Sequence, residues 1–301
     1  MDYEPYHHVE RKRTVPFEYG YNAMTLEWLN PNAIYEDIVS LKRKFAQNFL
    51  TKGTIKFSTP ASWVEYAFNN ATGRGDILEG SYAAYPYDSN VRKFILENQN
   101  PDSDVVPILY KNSNLLHLKH RESMQLPCYC FYMFKLKQFT IQRNRGKLEA
   151  KATIPARYFR GLEDGRNWLT ENELDKGEQL VSVIVENHEQ FIKRIKSALN
   201  KIGVSNNEII IRPIKYYELD KPYCKRRQHP MELFVKDKQF EDQSEGRIVI
   251  HTKNKEAERY LRENTIDIGS IEDIAYLDDH YYSGGMFVTM DMQNEYAEIE
   301  Y

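Results

Sequence analysis

The chain has 301 residues, a net charge of −3 and a pI of about 6.3, and 41% of its residues are apolar, 13% aromatic and 28% charged. This is a globular composition, with enough Tyr and Phe for a sizeable core, and its near-neutral charge argues against indiscriminate coating of nucleic acid. Cys128, Cys130 and Cys224 have no disulfide-framework spacing, no apolar run reaches membrane-spanning length, and "MDYEPYHHVERKR" lacks a signal-peptide core, so the expectation is a reduced, cytoplasmic protein with no membrane contact.

Residues 1–23 read as an N-terminal arm docking on a single elaborated domain over 24–301. The spacing of Ile34, Ile38, Leu41, Phe45 and Leu50 predicts a helix over Ala33–Leu50, capped by Asn30 or Asn32 and stopped by Gly53. "TIKFS" alternates as a strand, and "TPASWVEY" opens a helix with Thr59 as cap and Pro60 at its first position. "NNATGRGDILEG" is a loop. Strands follow at "VVPILY", "LPCYCFYMFKL", "QFTIQ", "LEAKATIP" and "LVSVIVEN". "HEQFIKRIKSALNKIG" is a helix closed by Gly203. "NEIIIRPIKYYEL" reads as one long strand and "GRIVIH" as another. The helix "KEAERYLREN" precedes strands at "IEDIAYL" and "GMFVTMDM". Strands outnumber scattered helices, so the expected fold is α+β on a mixed, mainly antiparallel sheet.

Chemistry concentrates in a few places. In "QSEGR", alternation points Gln243, Glu245 and Arg247 one way and Ser244, Gly246, Ile248 and Ile250 toward the core. An arginine beside a glutamate keeps it ionised and oriented. Such a carboxylate binds a ribose hydroxyl and stabilises an oxocarbenium-like centre, while the Gln orients a nucleophile. The plain alternative is a solvated salt bridge at a sheet edge, worth about 0–1 kcal/mol. Ser58 and Thr59 end a strand before a helix, which suits a phosphate or ribose, or is an ordinary cap. In "GRGDILEG", Arg74 suits a phosphate and Asp76 with Glu79 a hard metal; the alternative is a surface turn with local salt bridges. His117 and His120, three apart, are a poor zinc signal, and Cys128 and Cys130 read as small buried hydrophobes. The basic stretches 135–147 and 223–230 suit a phosphate backbone or solvated loops.

Two segments carry a resemblance. "LTKGTIKFSTPASW" with "NATGRGDILEG", and later "IKYYELDKP" with "MELFVKDKQFEDQSEGRIVI", resemble in order the two blocks of a bacterial and phage family known only as a domain of unknown function. The second block of that family runs Phe-x-Lys and then Glu/Gln-x-Glu-x-Arg. The same pattern resembles the ADP-ribosyltransferase fold, with a large insertion between Ser58 and Glu245.

That resemblance implies NAD as substrate. Glu245 would be the catalytic carboxylate at the nicotinamide ribose, Gln243 the residue that orients the target, and Arg247 the group fixing Glu245. Ser58 and Thr59 would brace the nicotinamide pocket, with Arg74 and Asp76 on the cofactor side. "MTLEWLN" offers no Arg or His for the NAD phosphates, which leaves Arg11, Arg13 or Arg74. The implied protein is an ADP-ribosyltransferase or NAD glycohydrolase, a toxin or phage-defence effector, with a protein or nucleic-acid acceptor and no resident metal. A non-catalytic module binding a nucleotide or partner in the same cleft is the alternative, and a metal-dependent nuclease using Asp76 and Glu79 is a second. On the enzyme reading, Glu245→Gln abolishes NAD turnover with little loss of stability.

Overall fold

The computed structural model describes residues 8–11, 34–69, 76–88, 90–91, 93, 103–109, 114–135, 138–144, 147–155, 158, 180–224, 229–278 and 285–291. In chain order the strands are β1 (His8–Arg11), β2 (Ile34–Lys42), β3 (Thr54–Lys56), β4 (Ser81–Pro86), β5 (Val105–Leu109), β6 (Leu115–His120), β7 (Cys128–Lys135), β8 (Thr140–Asn144) and β9 (Lys147–Pro155). They continue as β10 (Leu180–Val185), β11 (Ile209–Pro213), β12 (Lys215–Tyr217), β13 (Tyr223–Cys224), β14 (Val235–Asp237), β15 (Glu245–Ile250), β16 (Thr265–Asp267), β17 (Ala275–Asp278) and β18 (Gly285–Asp291). The α-helices are α1 (Arg43–Lys52), α2 (Pro60–Asn69), α3 (His188–Lys201) and α4 (Lys255–Glu263).

The fold is α+β, as expected. Its main sheet has the order β11-β15-β7-β2-β10-β17, and every neighbouring pair is antiparallel. A second antiparallel sheet runs β13-β4-β6-β5, and a third β1-β18-β9-β8. Parallel pairing occurs at β1–β18 and in the small β12–β14 ribbon. The piece of the N-terminal arm that is described is thus a strand on β18.

One prediction is overturned here. Ala33–Leu50 is not a single helix: Ile34–Lys42 is a strand inside the main sheet, and the helix starts only at Arg43. The apolar spacing fits a helix, but the β-branched Ile34, Ile38 and Val39 find backbone partners on β7 and β10. With both faces covered, even Glu36 and Asp37 are buried, and period-2 alternation is erased. Helix α1 does end at Gly53, which has φ +63° and donates its N–H to Asn48. A Cβ there would stand 2.4 Å from the Gly269 carbonyl, so glycine fits both the turn and the contact.

The long strand "NEIIIRPIKYYEL" is also two. Pairing with β15 runs out at Ile214, whose N–H donates in register to the carbonyl of Glu245, the first residue of β15, at 2.8 Å. Lys215–Tyr217 then pairs with β14 instead.

The main core lies between one face of the central sheet and α1, α3 and α4, with Phe49, Phe191, Ile195, Ile248, Ile250 and Leu261 at its heart. The opposite face carries a smaller cluster of Leu126, Cys128, Ile214, Leu233, Phe234 and Val249, with Trp63 of α2 packed on it. Among the described residues, no helix is long and apolar enough to cross a membrane.

Candidate functional site

Strand β15 alternates as the sequence suggests. Ile248 and Ile250 enter the helix-covered core, and Gly246 packs so tightly that a Cβ would sit 2.5 Å from Met133 and 2.7 Å from Phe131. Glu245, Arg247 and Val249 face the other layer. Neither face is open, however. β15 lies between β11 and β7, and α2, β14 and the Met231–Phe234 turn cover the face that Glu245 and Arg247 share, so Glu245 is only 7% exposed and Arg247 is fully buried. A solvated salt bridge at a sheet edge is overturned; the charges form a buried network.

Arg247 is its centre. Its Nε donates to Glu245 Oε1 at 2.8 Å, and its Nη2 lies 2.7 Å from the same oxygen. The other edge of the guanidinium grips Glu79, Nη1 to Oε1 at 2.5 Å and Nη2 to Oε2 at 3.2 Å. Nη1 also donates to the Leu233 carbonyl. The Trp63 ring lies over the guanidinium at 4.8 Å, a cation–π contact on its apolar side. Lys236 Nζ completes Glu245 by donating to Oε2 at 2.9 Å, and it donates to Gln243 Oε1 at 2.7 Å. Lys119 Nζ donates to the Ile77 carbonyl at 2.7 Å. Three buried cations, Lys119, Lys236 and Arg247, thereby balance three buried carboxylates, Asp76, Glu79 and Glu245.

The network sets each charge. Burial pushes the Glu245 carboxyl up, but the nearby Arg247 and Lys236 charges prevail and hold it at about 2. It is therefore an ionised, immobile carboxylate. Burial, with the Glu79 charge, raises Asp76 to about 6, and burial draws the Lys119 ammonium down to about 8. Asp76 Oδ1 accepts the Leu78 N–H at 2.8 Å, while Oδ2 has no hydrogen-bond partner among the described residues.

A pH test follows from Asp76. A carboxyl raised from 3.8 to about 6 stabilises the fold fully below pH 3.8 and loses that contribution as pH rises through about 6. Asp76→Asn, which cannot ionise, is expected to exceed the parent chain in stability at pH 8 by about 2–3 kcal/mol. At pH 4 the two should coincide. Urea unfolding at both pH values measures the difference.

Gln243 is not on the strand. It ends a 3-10 segment, Lys238–Gln243, and the chain reverses at Ser244 with φ +37°, so Gln243 reaches Glu245 through Lys236 rather than by alternation. Ser58 exchanges backbone hydrogen bonds with Cys128 at 2.8 and 2.7 Å. Val249 pairs with the other edge of Cys128, so Ser58 stands across β7 from β15 and does not touch Glu245. Thr59 Oγ1 accepts the Ser62 N–H at 3.2 Å, an ordinary cap on α2. That cap still serves the site, because α2 carries Trp63 to Arg247. Glu79 is taken by Arg247, so Asp76 and Glu79 do not face a metal as a pair. Arg74, Arg13 and the segment "MTLEWLN" lie outside the described residues.

Sequence reasoning missed Lys236, Trp63 and Lys119. The first two had a signal: Lys236 is the Lys of Phe-x-Lys in the second block, and Trp63 closes the first. Lys119 had none, since "HLKH" drew the eye to its histidines.

No family model, no curated protein and no solved structure matches this chain.

Proposed function

We propose that the chain turns over NAD, as an ADP-ribosyltransferase or NAD glycohydrolase, with Glu245 as its catalytic carboxylate. One observation supports this above all. The two sequence blocks that resemble the family meet in space, because Glu79 of the first grips Arg247 of the second across 168 residues, with Trp63 over the ion pair. Residues scattered by sequence but pooled around one ionised carboxylate suit a site as well as a core.

Arg247 holds Oε1, leaving Oε2 on Lys236, which the substrate would displace. A ribose 2′-hydroxyl donating to Oε2 would set the sugar against a fixed negative charge. As the bond from the ribose C1 to the nicotinamide nitrogen breaks, its electron pair leaves with nicotinamide. The cationic sugar left behind is stabilised by a carboxylate that needs no reorganisation. Gln243 would orient the oxygen or nitrogen nucleophile that closes on C1, its proton passing to solvent.

A second reading is favoured by one fact: both Glu245 oxygens already have partners. On that reading the site binds a nucleotide without consuming it. Incubating the purified chain with NAD and following free nicotinamide separates the two. Release is expected. Dependence on added cell lysate identifies transfer to an acceptor, and independence identifies hydrolysis. Calorimetric NAD binding without release would replace the enzyme with the binding module.

A further inference from the structure

Beyond the far end of β15 from Glu245, a second group of side chains converges that the NAD reading does not use. It joins Glu122, in the turn after β6, His229, before the 3-10 turn Met231–Phe234, and His251, one residue past β15. One potential ligand atom from each lies within 4.8 Å of the others. We propose that these three residues bind a first-row divalent metal ion, zinc by preference.

The best support is the way His229 is held. Its Nδ1 lies 2.7 Å from Ser123 Oγ and 3.1 Å from Glu232 Oε1. Ser123 and Glu232 are themselves buried and hydrogen-bonded to each other, the hydroxyl donating to the carboxylate. With the Ser123 proton committed to Glu232, Nδ1 must be the donor to both, which fixes the tautomer and leaves the lone pair on Nε2. That Nε2 is buried and has no hydrogen-bond partner among the described residues. Leaving a buried lone pair unused is unfavourable. A carboxylate behind one ring nitrogen, with the other nitrogen left for a ligand, is how metal-binding histidines are oriented.

Around that nitrogen the donors are of the right kind. Glu122 Oε2 lies 3.9 Å from His229 Nε2, too long for a hydrogen bond. Tetrahedral ligands at about 2.0–2.1 Å from zinc stand about 3.3–3.5 Å apart, so the carboxylate needs to close by about half an ångström. It is free to do so, being 53% exposed, with Lys255 only at 3.9 Å while that lysine pairs with Glu258 at 2.9 Å. The His251 ring stands 4.9 Å from that of His229 and at 82° to it, an edge-on arrangement that lets two imidazoles address one point. Two imidazoles and one carboxylate, open to solvent on the Glu122 side, make a three-ligand zinc set with a position left for water. The turn Met231–Phe234 serves both sites, since Glu232 orients His229 and the Leu233 carbonyl accepts from Arg247.

Zinc chloride titrated into the metal-stripped full chain tests this by calorimetry, with cobalt(II) absorption in the visible as a second readout. The expected result is one equivalent bound, with affinity at least tenfold weaker in His251→Ala and in Glu122→Gln. Glu122 is exposed, so Glu122→Gln should melt like the parent chain in the absence of metal, which keeps a folding defect from mimicking lost ligation. Zinc should raise the melting temperature of the parent more than that of the variants. No stoichiometric binding by the parent, or equal affinity in parent and both variants, would overturn the site.

Discussion

Arg247→Met is expected to lower the free energy of unfolding by about 3–5 kcal/mol. The Met side chain roughly matches the length of the arginine stem and its contact with Trp63, so the loss is mainly electrostatic. Arg247 is fully buried and touches two carboxylates, Glu79 and Glu245, as well as the Leu233 carbonyl. Without it, the three buried carboxylates Asp76, Glu79 and Glu245 share only Lys236 and Lys119. A second substitution should give part of that loss back. Glu79→Gln on top of Arg247→Met restores the balance between Glu245 and Lys236, so the double variant should be more stable than the sum of the two singles by about 1–3 kcal/mol. Urea unfolding of the four proteins measures both quantities. A loss below about 1 kcal/mol for Arg247→Met would mean that the pair behaves as a solvated one.

Glu245→Gln is expected to reduce nicotinamide release by about 10²–10³-fold or more, the scale of removing one preorganised electrostatic contact to a transition state. The sequence alone suggests that this variant keeps its stability. The structure says otherwise, because Glu245 is 7% exposed and pairs with both Arg247 and Lys236. A stability loss of about 2–4 kcal/mol is expected, the amide oxygen still accepting one hydrogen bond. Activity lost through unfolding must therefore be separated from activity lost through chemistry. Glu79→Gln is the control, since it also unbalances Arg247 but leaves the Glu245 carboxylate in place. Comparable destabilisation with release kept within about tenfold of the parent would assign the larger loss in Glu245→Gln to chemistry. Equal losses in the two variants would make the network purely structural.

The layout of the central sheet was largely legible. β7, β10 and β15 carry β-branched and aromatic runs bounded by turn residues, and the caps at Thr59, Gly53 and Gly203 mark real helix ends. Strand β2 was not legible, since a strand covered on both faces has no alternation to read and its apolar residues fall at helical intervals by coincidence. The two-residue period in "QSEGR" correctly placed Glu245 and Arg247 on one face, but it carries no information on whether that face meets water. Burial depended on α2, β14 and the Met231–Phe234 turn arriving from elsewhere in the chain. The Glu79–Arg247 pair and the Glu122–His229–His251 group join residues that no local pattern connects, so only the fold reveals them.

Nicotinamide release from NAD by the purified parent chain, beside Glu245→Gln at a temperature where circular dichroism shows both folded, tests the central claim most directly. The account predicts release by the parent alone. Equal release by both proteins, or no release and no NAD binding by the parent, would contradict it and leave Glu245 as one member of a buried ion network that holds two layers of the fold together.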